Sequence, residues 1–368
     1  MLGLIINPIA GMGGAVALRG TDGASVARAR ELGAVPVAGL RAARTLQRMA
    51  RSFSSLEVVA AGGVMGGDAA RRCGWQVEDV GSAGVGSTSA ADTRAAALEM
   101  LQRDVTLLLF AGGDGTARDV LASVGTGVPV LGIPTGVKMH SGVFATTPEA
   151  AGDVAARYLA RPSLPLRDAE VVDDDEEARR GDRFVTRLYG LARIPDAPER
   201  LQRAKASPGR QDDATLDALC RVVAAEMRPD HTYVLGPGTT TRRVLDALGL
   251  SGSLTGVDVV HDRVLVGSDL TESALLSILS DGRPATLILG VIGGQGFLLG
   301  RGNQQISVAV LGLLGEDVVV LASAEKLAAL DPPVLRVDLG SDHPIAALTG
   351  YLRVRTGPAT STVLKVVS

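Results

Sequence analysis

A chain of 368 residues exceeds what one hydrophobic core usually serves, so two domains are expected. Its 46% hydrophobic content comes with only 3% aromatic residues, which implies a core of Ala, Val, Leu and Ile, as in helix-covered parallel sheets, and argues against an aromatic-rich sandwich. A formal net charge of -3 offers no cationic surface to a polyanion, and Cys73 and Cys220 lie far apart without CxxC or Cys/His spacing; a nucleic-acid partner, a disulfide framework and a zinc site are therefore not expected.

Met1 to Pro8 carries a short apolar run with no basic leader and reads as a first strand, not a signal peptide. Leu2 to Ile6, Leu56 to Ala60, Thr106 to Phe110 and Val128 to Ile133 are strand candidates. Helical patterns alternate with them at Ala38 to Ser52, Ala90 to Arg103, Ala117 to Ser123 and Thr147 to Ala160, the last opened by Thr147 as N-cap and Pro148 in the first turn. This alternation predicts an α/β, doubly wound, mainly parallel sheet over residues 1–163, whose ligands belong at the carboxyl ends of the strands.

From Arg161 to Arg210 the chain becomes charged and Pro-punctuated, with an acidic run from Asp173 to Glu177, and reads as the crossing into a second domain. A helix over Leu216 to Met227, a strand over Thr232 to Leu235 and a helix start at Arg242 to Leu248 follow. Thr255 to Gly267, Ala285 to Ile292, Ile306 to Leu311 and Val318 to Ala322 read as β-rich, with a helix at Thr271 to Ser280, so residues 164–340 form a β-rich α+β domain. The tail, 341–368, carries short strands able to return to the first domain. Ala285 to Gly300, the most apolar stretch of this half, is too short and too glycine-broken to cross a bilayer, so a cytoplasmic protein without a membrane partner is expected.

Several of these strands run straight into glycines. Gly112-Gly113-Asp114-Gly115-Thr116 stands between an apolar strand and a helix, where backbone N–H groups and the positive end of the helix dipole suit phosphate and a Cβ would hold it away. Asp114, a carboxylate beside that anion site, is left with the work of a Mg2+ shell or a general base, or is an ordinary cap. Asn7, Gly11, Gly13 and Gly14 form a second loop that is neither a P-loop nor a dinucleotide fingerprint, and Gly62 to Asp68 forms a third. After the fourth strand, Thr135, Lys138, His140 and Ser141 add donors and a cation: Lys138 suits a transferring phosphoryl group and His140 a base or ribose, or they are a surface lysine and a packed histidine. Gly238, Thr239 and Thr240, with Arg242 and Arg243, repeat the anion-site pattern in the second domain. Gly293 to Phe297 and Gly300 to Gln305 are polar glycine loops in which Arg301 and Asn303 are candidate substrate contacts or members of a bulge and turn.

Together these segments resemble the NAD kinase family, and more closely its predicted ATP- or polyphosphate-dependent branch. The resemblance is carried by Asn7-Pro8 and its glycines, Gly112 to Thr116, Gly132 to Gly142, Gly236 to Thr241 and Gly300 to Gln305; Gly-Gly-Asp-Gly alone is shared with lipid kinases of the diacylglycerol-kinase type and with phosphofructokinases. It implies that Asp114 activates the ribose 2′-hydroxyl of NAD, that the glycines approach nucleotide phosphates, and that Thr239 and Thr240 contact ligand. Two places depart from the family pattern: an acidic run holding Asp175 and Glu176 stands for the usual Asn-Glu or Asn-Asp, and the usual Asn after the fourth strand is replaced by the stretch around Thr135. The implied protein is a homo-oligomeric phosphotransferase with NAD and ATP, or polyphosphate, as ligands and Mg2+ as cofactor, its metal ligands unassigned. A kinase of this fold acting on another small alcohol, a lipid or a sugar, and a nucleotide-binding regulator without catalysis, are the other readings these residues leave open.

Overall fold

The computed structural model describes residues 1–18, 24–81, 88–136, 139–174, 186–197, 200–201, 210–292, 296–339 and 348–367. Packing divides the chain into two compact units: Met1–Met12, Gly20–Val26 and Val35–Ala204 form the first, and Gly13–Arg19, Ala27–Ala34 and Lys205–Ser368 the second.

The elements up to the end of the first unit are β1 (Leu2–Ile6), α1 (Ala24–Glu31), α2 (Ala38–Ala50), β2 (Glu57–Ala61), α3 (Gly67–Arg72), β3 (Gln76–Val80), α4 (Ala90–Gln102), β4 (Leu107–Gly112), α5 (Asp114–Val124), β5 (Val130–Pro134), α6 (Pro148–Ala160), β6 (Leu166–Asp174) and β7 (Thr186–Pro195). Five strands form one parallel sheet in the order β3-β2-β1-β4-β5, with Leu4 opposite both Ala60 and Leu109. β1, β4 and β5 are buried throughout, which is why they read as unbroken apolar runs, as strands covered on both faces do. The strand order reverses between β1 and β4, and a crevice opens at the carboxyl ends of strands at such a switch point. Thr147 caps α6 as expected, its Oγ1 accepting from the Ala150 N–H at 3.1 Å, and a Ser89–Asp92 capping box starts α4.

β6 and β7 form an antiparallel hairpin that packs on α5 and β5, with Ala169, Val171, Ala192 and Ile194 buried in the core of the parallel sheet. This segment therefore belongs with the first unit, not with the second domain to which its charged sequence assigns it: its alternating apolar residues have a face to cover there. α6 is tied to α2 by Asp153, which accepts from Arg48 Nε at 2.5 Å and pairs with Arg200. Burial opposes the charge of Asp153, but the two guanidinium groups outweigh it and hold the carboxyl below the usual range. A depressed carboxyl contributes stability that is present above its unfolded pKa and lost as pH falls through the folded one. Asp153→Asn is thus expected to lower Tm at neutral pH, with the difference from wild type closing as the pH is taken below the ordinary aspartate range; thermal melts across that range check it.

The second unit contains α7 (Arg210–Ala225), β8 (Thr232–Leu235), α8 (Thr239–Ala247), β9 (Asp258–His261), β10 (Val264–Gly267), α9 (Glu272–Leu279), β11 (Ala285–Gly290), β12 (Phe297–Leu299), α10 (Val308–Leu314), β13 (Val318–Leu321), α11 (Ala324–Ala328), β14 (Val334–Val337), β15 (Tyr351–Arg355) and β16 (Ser361–Val367). Its nine strands run in the order β10-β9-β8-β11-β13-β15-β16-β14-β12. Alternation along the central strands fills two cores: Val234, Leu287, Leu289 and Val320 on one face, and Tyr233, Leu235, Ile288 and Leu321 against α7 and α8 on the other. Buried Cys220 sits in the latter, its thiol pushed by burial up to about 11, and both cysteines are free.

Within Ile306 to Leu311, read as β-rich, α10 instead begins at Val308. Ser307 Oγ accepts from the Val310 N–H at 3.3 Å, and that cap outweighs β-branched propensity. β15 and β16 pair inside the nine-stranded sheet, so the C-terminal strands stay with the second unit. Among the described residues, no helix is long and apolar enough to cross a membrane.

Candidate active site

The switch point between β1 and β4 is pinned by Asn7. Its N–H donates to the Ala111 carbonyl at 2.9 Å, its Nδ2 donates to Thr116 Oγ1 at 3.0 Å, and its Oδ1 accepts from the Ile9 N–H at 3.3 Å. The loops after β1 and β4 are thereby joined. The loop after β5 joins them too, because the Gly112 carbonyl accepts from the N–H groups of Thr135 and Gly136 at 3.1 and 3.2 Å. Gly11, at φ +76°, approaches so closely that a Cβ would stand 1.9 Å from the Thr135 carbonyl oxygen, and a Cβ on Gly112 would stand 2.4 Å from Thr116 Cβ. Glycine is the residue both positions tolerate.

Asp114 is the first residue of α5, and Gly113 before it makes no side-chain capping bond. The aspartate is 6% exposed, and its carboxylate accepts from the His140 N–H at 2.7 Å, the Ser141 N–H at 3.0 Å and Ser141 Oγ at 2.6 Å. Ser141 is held in turn by the Val172 N–H, which donates to its Oγ at 3.1 Å, so β6 supports the residue that orients Asp114. The next residue on β6, Asp173, pairs with Arg118 at 2.9 Å. Thr135 is 3% exposed, and its Oγ1 has no hydrogen-bond partner among the described residues. A buried orphan hydroxyl beside the glycine loops fits a ligand that supplies its partner.

Of the residues singled out in the sequence, Asn7, Gly11, Gly112 to Thr116, Thr135, His140 and Ser141 thus converge in the first unit. His140 serves Asp114 through its backbone N–H, not its ring. The Gly62 to Asp68 loop follows β2, one strand away from the switch point. Lys138, Asp175, Glu176 and the loop Gly293 to Gln295 lie outside the described residues.

In the second unit, Gly238 precedes α8 and Thr239 and Thr240 open it, with no side-chain capping bond from Gly238. Arg242 and Arg243 are engaged locally rather than as phosphate clamps: Arg243 with Asp213 and Asp217 at 2.6 and 2.5 Å, Arg242 with Asp246 at 3.0 Å and with the Gly252 carbonyl. Gly13 falls in this unit, its carbonyl accepting from the Leu18 N–H at 2.9 Å, and Gly14 lies against Gln304. Arg301 stacks 4.6 Å over the Phe297 ring, with Asp338 4.0 Å from its Nε. Asn303 is wholly buried and closes its own turn, Oδ1 accepting from the Gly300 N–H at 2.9 Å and Nδ2 donating to the Leu298 carbonyl at 2.7 Å. Sequence reasoning missed the supporting role of β6, because it runs through the backbone of Val172, which no residue type announces.

Residues 2–162 match the family model described as the ATP-NAD kinase N-terminal domain, and residues 228–366 that of the ATP-NAD kinase C-terminal domain. Comparison with curated proteins gives no match. With the glycine crevice, the buried aspartate at its helix start and both family domains in one chain, the protein belongs to the NAD kinase family of phosphotransferases.

Proposed function

We propose that the protein transfers the terminal phosphoryl group of ATP, or of polyphosphate, to the 2′-hydroxyl of NAD, with Asp114 as the general base. The observation that carries this reading is the buried Asp114 carboxylate held at the start of α5 by three donors from His140 and Ser141. As the 2′-oxygen attacks the terminal phosphorus, its proton passes to the Asp114 carboxylate and the bond from that phosphorus to the departing ADP, or shortened polyphosphate, breaks. A placed base supports a rate gain of about 10²–10⁴-fold, and phosphoryl transfer rests otherwise on positioning and charge neutralisation.

Gly112, Gly113, Gly115 and Gly11 let the phosphates approach backbone N–H groups, Thr116 and Asn7 brace the crevice, and Thr135 Oγ1 bonds the ligand. Thr239 and Thr240 contribute the N–H groups of a second helix start, Lys138 neutralises phosphate charge, and Asp175, Glu176 and Arg301 contact the acceptor. Mg2+ requires oxygen ligands and is usually held by one or two carboxylates together with substrate phosphates and water. Among the described residues the one cluster of three potential metal ligands is Asp230, His261 and Asp262 in the second unit. In the first unit, Asp114 takes donors from the 140–141 backbone and Asp173 pairs with Arg118. The donor set therefore fits a metal that arrives with the phosphates, where it would neutralise the charge developing on them.

The test is NADP formation from NAD by purified protein, with ATP and polyphosphate supplied separately and read by an NADP-specific dehydrogenase. Product with at least one donor, abolished by EDTA and restored by Mg2+, is expected. No product with either, alongside phosphorylation of a lipid or sugar alcohol, would replace NAD as the acceptor.

A further inference from the structure

We propose that Asp258 is a positioning residue for the segment Gly238 to Thr240, acting through the loop Gly252 to Gly256. The inference rests on the proposed reading of that segment as a phosphate site, and it adds that the phosphates held there are those of the phosphoryl donor. Asp258 opens β9 at 2% exposure. Its Oδ2 accepts from the Ser253 N–H at 2.8 Å, and its Oδ1 accepts from Ser268 Oγ at 2.7 Å and the Asp269 N–H at 3.0 Å. Two separate stretches of chain are thereby gathered on one carboxylate.

The first of these stretches is the one that meets the donor segment. Ser253 Oγ accepts from the N–H groups of Thr255 and Gly256 at 3.2 and 2.8 Å, which stiffens the loop that Asp258 anchors. That loop then presents two carbonyls outward. Leu254 O accepts from the Gly238 N–H at 2.9 Å, and Gly252 O accepts from Arg242 on the first turn and a half of α8. The Gly238 carbonyl accepts from Thr241 Oγ1 at 3.0 Å and from the Arg242 N–H at 3.1 Å within α8, so the Leu254 contact is what ties the N–H side of this residue, immediately before the N–H groups of Thr239 and Thr240, to the rest of the unit.

Keeping a carboxylate here is costly. Burial, first among the causes, pushes its carboxyl above the ordinary range, and the neighbouring Asp269 has the same sign of charge. A neutral side chain would avoid that cost but could not accept from three donors in two directions. The function that justifies it is the fixed placement of Gly238, and through it of the N–H groups that would face a phosphate.

Asp258→Asn keeps the size of the side chain and turns one of its two acceptors into a donor aimed at a donor. It is expected to raise KM for the phosphoryl donor by about tenfold, the scale of a lost hydrogen bond to a charged group, while KM for NAD and kcat stay within about twofold. Ser268→Ala, which removes one of the three donors, is expected to raise the same KM by about two- to threefold. Donor KM unchanged in Asp258→Asn, or both KM values and kcat shifting together with Tm, would overturn the inference, the second result marking a residue that is only structural. If the wild type forms no NADP, the functional reading fails separately, and equilibrium binding of ATP and of tripolyphosphate decides: weaker binding by Asp258→Asn supports the inference, and equal binding, or none by wild type, overturns it.

Discussion

Replacing Asp114 with Asn is expected to lower kcat for NADP formation by about 10²–10⁴-fold, with the fold and the affinity for ATP retained. The substitution keeps the shape of the side chain and removes its ability to take a proton. The cost to the fold is bounded. The Asn carbonyl can still accept from part of the His140 and Ser141 donor set, and leaving one buried donor unmatched costs about 1–3 kcal/mol, less than the roughly 5–15 kcal/mol that holds a typical domain folded. Thermal melts, ATP titration and initial rates on the same preparation separate the two effects. A purified variant with wild-type kcat would remove Asp114 from the role of base and leave it as a cap.

Gly11→Ala carries the second large effect, and for a different reason. The left-handed backbone at φ +76° costs an alanine about 1–2 kcal/mol, and the added Cβ would sit 1.9 Å from the Thr135 carbonyl oxygen and 3.0 Å from Val37 Cγ2. No side-chain rotation relieves a clash with a backbone carbonyl, so the loop after β1 or the one after β5 must move, at a further cost of about 1–3 kcal/mol. Thr135 is bonded through its N–H to Gly112, so the displacement reaches the glycine loop that carries Asp114. Stability is expected to fall by about 2–5 kcal/mol in urea titration and kcat/KM by at least about 10²-fold, the scale of a 1 Å misplacement. A variant as stable and active as wild type would show that these loops do not meet as described.

The parallel sheet was readable because β1, β4 and β5 are apolar from end to end, β1 running into Asn7-Pro8, β4 ending at Gly112 and β5 at Pro134. β3, Gln-Val-Glu-Asp-Val, was not: it is an edge strand with little to bury, so its residues do not alternate toward a core. The sequence pattern opens this helix at Ala117, after the glycines, yet α5 begins at Asp114, where the sheet and the 140–141 loop supply what the low helix propensity of glycine does not. In the site, residue types with one chemical use, such as Asp114 and the close-packed glycines, stood out in the sequence. Asn303, whose type left a substrate contact and a turn equally open, closes its own turn. Val172 stayed hidden because it acts through its main chain, and Asp258 because the donors its carboxylate gathers are brought together only by the folded chain.

The most direct test of phosphoryl transfer at Asp114 is a single-turnover experiment with γ-labelled ATP, NAD and Mg2+, enzyme in excess, comparing wild type with Asp114→Asn. Label appearing on the 2′-position of NAD with wild type, and not with a variant that still binds ATP, is the expected result. Equal transfer by both proteins would contradict it.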